Sequence, residues 1–129
     1  MTVAMRNLLI VGLGGFIGSA LRYGVSGWTQ RLVPSAMFPV GTLTVNVLGC
    51  FILGLLGGYA DNLDLFGPTT RLFLFLGVLG GFTTFSTFGY ETMAMLRDGQ
   101  SFTGLANVGL QVILGLGAVW LGYGISGLK

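Results

Sequence analysis

Residues 72–96 read LFLFLGVLGGFTTFSTFGYETMAML, and no charged residue occurs in them before Glu91. A helix needs about 20 mostly apolar residues to cross a bilayer, and this stretch is long enough. Its centre is poor helix sequence. Gly80 and Gly81 are followed by Phe82, Thr83, Thr84, Phe85, Ser86, Thr87 and Phe88, where hydroxyls alternate with aromatic rings. Glycine and β-branched residues both disfavour helix, so the sequence predicts a membrane span interrupted between Gly80 and Phe88. In lipid, freed backbone groups are tolerated only where they are buried in protein or line a cavity.

Three further windows have the same character. They lie at about 7–28, with Arg22 as the only charge, at 40–60, with none, and at 102–126, inside the uncharged stretch from Gly99 to Leu128. Charged residues make up 8% of the 129, against roughly 25% in ordinary soluble domains. With 53% hydrophobic residues and a mean hydropathy of +0.85, lipid is the solvent that suits this surface. The expectation is an all-α membrane protein, one four-helix transmembrane domain over residues 1–129. The first window resembles a signal peptide, but no small-x-small site follows it, so it reads as a retained span. Pro34 and Pro39, then Asp61 to Pro68, then Arg97-Asp98-Gly99 supply the turn chemistry between spans.

Four spans put the N-terminus, the second loop and the C-terminus on one side, with Arg6, Arg71 and Lys129. The other side has Arg31 and Arg97, plus Arg22 if it reaches the interface. The positive-inside rule then gives almost no orientation. Either a weak bias suffices, or the chain inserts both ways and pairs antiparallel. Glycine, at 24 residues, recurs at GxxxG spacing in Gly14/Gly18, Gly54/Gly58 and Gly77/Gly81, which predicts closely packed helices. The run from Gly12 to Gly18 resembles a dinucleotide fingerprint, but no strand precedes it.

The candidate chemistry is polar groups in hydrocarbon. The interrupted third span is either a packing kink or an ion-handling segment whose carbonyls suit cations and whose N–H and hydroxyl groups suit anions. Asn46 is either interhelical glue or an amide donor facing an anion. Arg22 either snorkels to the interface or gives a pore mouth its charge. Phe85 and Phe88, at i and i+3, are either core or rings whose positive edges face a small anion. Glu91 reads as an anchor near the far interface. Without His, and with Cys50 as the only cysteine, nothing resembles a catalytic constellation, so the chain reads as a non-enzyme. A net charge of +2, scattered, points to no nucleic-acid partner.

GGFTTFSTF at 80–88, GTLTVN at 41–46 and ALRY at 20–23 together resemble the Fluc family of fluoride channels, and the resemblance spans the whole chain. It implies a fluoride-selective channel that exports fluoride passively from the cytoplasm and protects the cell from it. It implies an antiparallel, dual-topology homodimer with two pores in the plasma (inner) membrane of a prokaryote. By motif position, Phe85 and Phe88 would line the pore, and Asn46 would contact fluoride or orient a ring. Ser86 and Thr87 would belong to the polar track, and Arg22 would be the vestibule arginine. Gly80 and Thr83 would offer carbonyls to a structural sodium ion (Na+) at the dimer centre. Some relatives carry Tyr and Ser on the fourth span, where this chain has Asn107 and Gln111. Rival readings are a small four-span multidrug exporter, against which stands the lack of an acidic residue in the first span, and a non-transporting assembly subunit.

Overall fold

The computed structural model describes residues 1–35 and 37–127. Lys129, one of the charges in the topology count, lies outside them. Four helical stretches are long and apolar enough to cross a membrane: Val3–Leu32, Val40–Leu63, Pro68–Arg97 and Ser101–Gly127. All regular structure among the described residues is helical. The first helix runs about a turn past its apolar window at both ends. Backbone hydrogen bonding continues until something caps it, here the Thr2 hydroxyl, which accepts from Met5 N–H at 3.2 Å.

The connections are tied by single polar side chains. Gln30 clasps the first loop, donating to Phe38 C=O at 3.3 Å and accepting from Gly41 N–H at 3.1 Å. Arg71 stitches the second. It donates to Phe66 C=O and Ala60 C=O, both at 3.0 Å, and reaches Asp64 at 3.4 Å. One of those carbonyls belongs to the last turn of the second helix, where no intrahelical donor remains. The third turn is closed by Gly99 at φ 79°, which sends Gln100 N–H back to Met95 C=O at 2.8 Å. That left-handed cap favours glycine.

The first helix packs on the N-terminal half of the third span, and the second helix packs on the fourth. Glycine lets both pairs approach to backbone contact. A Cβ on Gly14 would lie 2.8 Å from Gly77 Cα, and one on Gly81 would lie 2.7 Å from Gly15 C=O. In the other pair, a Cβ on Gly54 would collide with Val119 C=O, and one on Gly58 with the Ser126 hydroxyl. All three GxxxG pairs therefore sit at helix contacts. Outward, large apolar side chains such as Phe16, Ile113 and Trp120 are exposed. In water such a surface would aggregate; in a bilayer it meets lipid.

The third span is not one uniform helix. Pro68–Arg71 is α-helical with Pro68 at its first turn, where a missing N–H costs nothing. Leu72–Leu79 is wound wider, as π-helix, and Gly80–Phe82 returns to α. Thr83 (φ −88°, ψ 155°) and Thr84 (φ −150°, ψ 116°) are extended, and Phe85–Arg97 is again α-helical. Gly80 and Gly81 were expected to begin an interruption, yet they sit in helical backbone. Gly81 serves close approach to the first helix, while extended backbone falls on the β-branched pair Thr83 and Thr84.

Candidate functional site

The extended pair is held from the second helix by one side chain. Asn46 Oδ1 accepts from Thr84 N–H at 2.8 Å, and Asn46 Nδ2 donates to Thr84 C=O at 3.0 Å. The same nitrogen donates to Gln111 Oε1 on the fourth helix at 3.0 Å. Both amide hydrogens of Asn46 are thus occupied within the chain. Asn46 clamps three helices together, and that clamp replaces the ladder hydrogen bonds Thr84 would make in a continuous helix.

Thr84 also caps the arm that follows. Its hydroxyl accepts from Thr87 N–H at 3.2 Å, donates to Thr87 Oγ1 at 3.0 Å and lies 3.3 Å from Ser86 Oγ. Two carbonyls lose their regular donors as a result. In a continuous helix, Thr84 N–H would serve Gly80 C=O and Thr87 N–H would serve Thr83 C=O. Here the first goes to Asn46 and the second to the Thr84 hydroxyl. Gly80 C=O and Thr83 C=O are thus left without these two donors. No cluster of His, Cys, Asp or Glu that could hold a metal exists among the described residues.

Two cavities flank Thr84. One, of about 330 Å³, is lined by Asn46, Gly80, Thr83, Phe85, Phe88 and Gln111, with Cys50 and other apolar residues. Phe85 and Phe88 meet edge to face there, with ring centres 5.4 Å apart and planes at 66°. Phe85 is 82% exposed, so its outer side has no cover within one chain. The other cavity, of about 380 Å³, is lined by Arg22 with Ser19, Tyr23, Ser26, Thr42 and Thr87. Thr84 lines both. The structure thus gathers Asn46, Phe85, Phe88, Gly80 and Thr83 on one side of Thr84, and Arg22 and Thr87 on the other. Ser86 is exposed and lines neither.

A family model described as "CrcB-like protein, Camphor Resistance (CrcB)" matches residues 9–123. The chain belongs to this CrcB family. It is 47% identical over 118 residues to "Fluoride-specific ion channel FluC 3" of Methanosarcina barkeri, covering 92% of this chain and 88% of that one. It is 48% identical over 118 residues to "Fluoride-specific ion channel FluC" of Parabacteroides distasonis, covering 92% and 91%. With the FluC protein of Nitratidesulfovibrio vulgaris the identity is 41% over 124 residues, covering 96% and 99%. The family that the 80–88 segment resembles is the family found.

Within this CrcB chain the fourth helix brings residues that the sequence left without a role. Asn107 is fully buried and donates to Thr92 Oγ1 at 2.9 Å, while Thr92 donates to Phe88 C=O at 2.8 Å. Gln111 joins Asn46. Glu91 is half-buried, and its Oε1 accepts from Thr42, in the first turn of the second helix, at 2.8 Å. Glu91 Oε2, Asn107 Oδ1 and Gln111 Nε2 are buried with no hydrogen-bond partner among the described residues. Thr84 is the residue that reading by motif missed. Its signal was a threonine three residues before Thr87 at a weak point in the helix, the pattern of an N-cap.

Proposed function

We propose that this chain is a fluoride-selective channel through which fluoride leaves the cytoplasm passively, protecting the cell from fluoride. The observation that carries this reading is the cavity walled by amides, hydroxyls and two rings that meet edge to face, with no charged side chain lining it among the described residues. Fluoride is small and holds its water tightly. A path for it needs many modest donors in place of that water, and ring edges carry positive partial charge. A fixed cation in the same place would hold the ion, whereas conduction requires release. Arg22 lies beyond Thr84, in the neighbouring cavity, where it raises the local anion concentration without trapping the ion at the rings. The names of the relatives support the same substrate.

The working unit in this proposal is an antiparallel, dual-topology homodimer in the plasma membrane of a prokaryote. The near-even charge of the two loop sets supports it, as does the uncovered side of Phe85. The third span acts as a broken helix, its extended pair held open by Asn46. Gly80 and Thr83 would hold a sodium ion shared by the two copies, which would supply a structural positive charge at the dimer centre.

Liposomes containing only this protein are expected to release fluoride, and to release chloride far more slowly, when read with ion-selective electrodes. No fluoride release, or chloride release as fast, would sink the reading. Within the same assay, Phe85→Ile and Phe88→Ile are each expected to slow fluoride roughly twofold to tenfold, the value of one ring-edge contact. Unchanged rates in both would assign the rings to packing.

A further inference from the structure

The arm Phe85–Arg97 carries both cavity rings, and the extended pair before it interrupts the ladder that would fix its rotation. Side chains project outward from a helix, so turning the arm about its own axis swings Phe85 and Phe88 off the cavity wall. Asn46 holds Thr84 at the start of the arm. Beyond that point, two side-chain hydrogen bonds reach the arm from neighbouring helices among the described residues. Thr42 donates to Glu91 from the second helix, and Asn107 donates to Thr92 from the fourth. The two differ in stiffness. Glu91 is long, and its rotamers can follow a turning helix. Thr92 is short and β-branched, so its χ1 is nearly fixed and its hydroxyl moves with the backbone. That hydroxyl is doubly committed: it donates to Phe88 C=O, one turn back, at 2.8 Å and accepts from Asn107 Nδ2 at 2.9 Å. Thr92 is buried and Asn107 fully so, which keeps bulk water from competing for either bond.

The same face of the arm offers little else that is directional. Phe88, Thr92 and Met95 follow one another at i, i+4 and i+7, with Thr92 and Met95 buried. Met95 is flexible and fits a range of rotations. Leu96 lies over Gly104 of the fourth helix, where apolar contact has no preferred direction. A hydrogen bond weakens steeply off its line. Neither Thr92 nor Asn107 lines the cavity that holds the rings. We propose that the Thr92–Asn107 bond is a latch that sets the rotation of the arm, and with it the aim of the Phe88 ring. Thr92 is thus a positioning residue, acting through the helix turn it shares with Phe88. This inference rests on the fluoride reading above and deepens it.

The test compares Thr92→Val, Thr92→Ser, Asn107→Leu and the double variant Thr92→Val with Asn107→Leu, each in the full chain. Thr92→Val keeps the shape and removes the hydroxyl, while Thr92→Ser keeps the hydroxyl. In liposomes, Thr92→Val and Asn107→Leu are each expected to slow fluoride efflux about tenfold, the weight of one hydrogen bond. Thr92→Ser is expected to stay within about threefold of wild type. Thermal unfolding in detergent separates a latch from mere packing. Thr92→Val leaves Asn107 Nδ2 buried without its acceptor and is expected to unfold at a lower temperature. Adding Asn107→Leu removes the stranded amide and is expected to restore much of that loss. Efflux of the double variant is expected to stay about tenfold low, because an apolar pair fixes no angle. A double variant that recovers efflux along with stability overturns the latch, as does Thr92→Val as fast as wild type. The ring is also read directly. In lipid nanodiscs, the ¹³C signals of the Phe88 ring, assigned by their loss in Phe88→Ile, are expected to shift in Thr92→Val and in Asn107→Leu and to stay in Thr92→Ser. Phe88 signals unmoved by the first two overturn the latch whether or not the chain passes fluoride. A wild type that passes no fluoride overturns the function proposed above, and the ring signals then decide the latch by themselves.

Discussion

Asn46→Leu is expected to lower fluoride efflux about a hundredfold or more and to lower the unfolding temperature of the purified protein sharply. The substitution removes three hydrogen bonds made by one side chain, two to the Thr84 backbone and one to Gln111. Thr84 is buried, so its N–H and C=O have no water to turn to. Each unpaired buried backbone group costs about 1–3 kcal/mol, which gives roughly 2–6 kcal/mol for the pair. The chain has one escape, to close Thr83 and Thr84 into continuous helix. That restores the ladder but rotates the Phe85–Arg97 arm about its axis, which carries Phe85 and Phe88 off the cavity wall. Either way the path is lost, and each 1.36 kcal/mol is about tenfold in rate. Asn46→Asp separates the two effects. It keeps the acceptor and the volume, so it is expected to unfold at a temperature closer to wild type. It is nonetheless expected to be silent, because a carboxylate oxygen then faces Thr84 C=O and Gln111 Oε1. Fluoride efflux in Asn46→Leu within about tenfold of wild type would show that the clamp on Thr84 is dispensable.

The four spans were legible because lipid simplifies the reading. Every residue of a span must be mostly apolar whichever way it faces, so length and charge gaps suffice and periodicity is not needed. The place of the extended pair was less legible. Propensity marks Gly80 to Phe88 as weak helix, but it does not say which residues leave the helix. That is decided by where a partner takes over the backbone groups, and the partner is Asn46, 38 residues away in sequence. Gly81 serves the contact with the first helix by its missing side chain, not by its flexibility.

The polar residues show a second limit. An amide in hydrocarbon announces that it has partners without saying which end faces which. Asn46 had two readings, glue and anion donor, and neither names the partners it bonds, the Thr84 backbone and Gln111. Gln111 could be placed on the fourth span from sequence. Its meeting with Asn46 spans 65 residues and depends on how closely Gly54, Gly58 and Gly122 let the second and fourth helices approach. Glu91 was read as an anchor near the far interface, and its partner, Thr42 in the first turn of the second helix, was not legible because the two lie 49 residues apart. Helices pair side chains at a given depth, and depth is what a sequence states least clearly.

Gly18→Ala and Gly12→Ala, six residues apart in one helix, are expected to change stability in opposite directions. A Cβ on Gly18 would run into Val78 C=O and would lie 2.9 Å from Phe82 N. Both obstacles are backbone, so no rotamer change relieves them, and the first helix must move off the third span. Overpacking costs typically 1–3 kcal/mol where side chains can yield, and the upper end of about 3 kcal/mol or more is expected here. A Cβ on Gly12 meets nothing within 4 Å. There the change removes glycine's helix penalty of about 1 kcal/mol and should leave the protein equal or slightly more stable. The contact reaches the site as well as the stability. Arg22 stands one turn beyond Gly18, and its cavity is walled on the far side by Thr84 and Thr87 of the third span. Pushing the helices apart at Gly18 therefore opens the Arg22 cavity and slackens the wall that carries Thr84. Thermal unfolding of both variants in one detergent, followed by fluoride efflux, separates these consequences. Equal shifts in the two variants would mean that close approach at Gly18 is not what holds the first helix to the third.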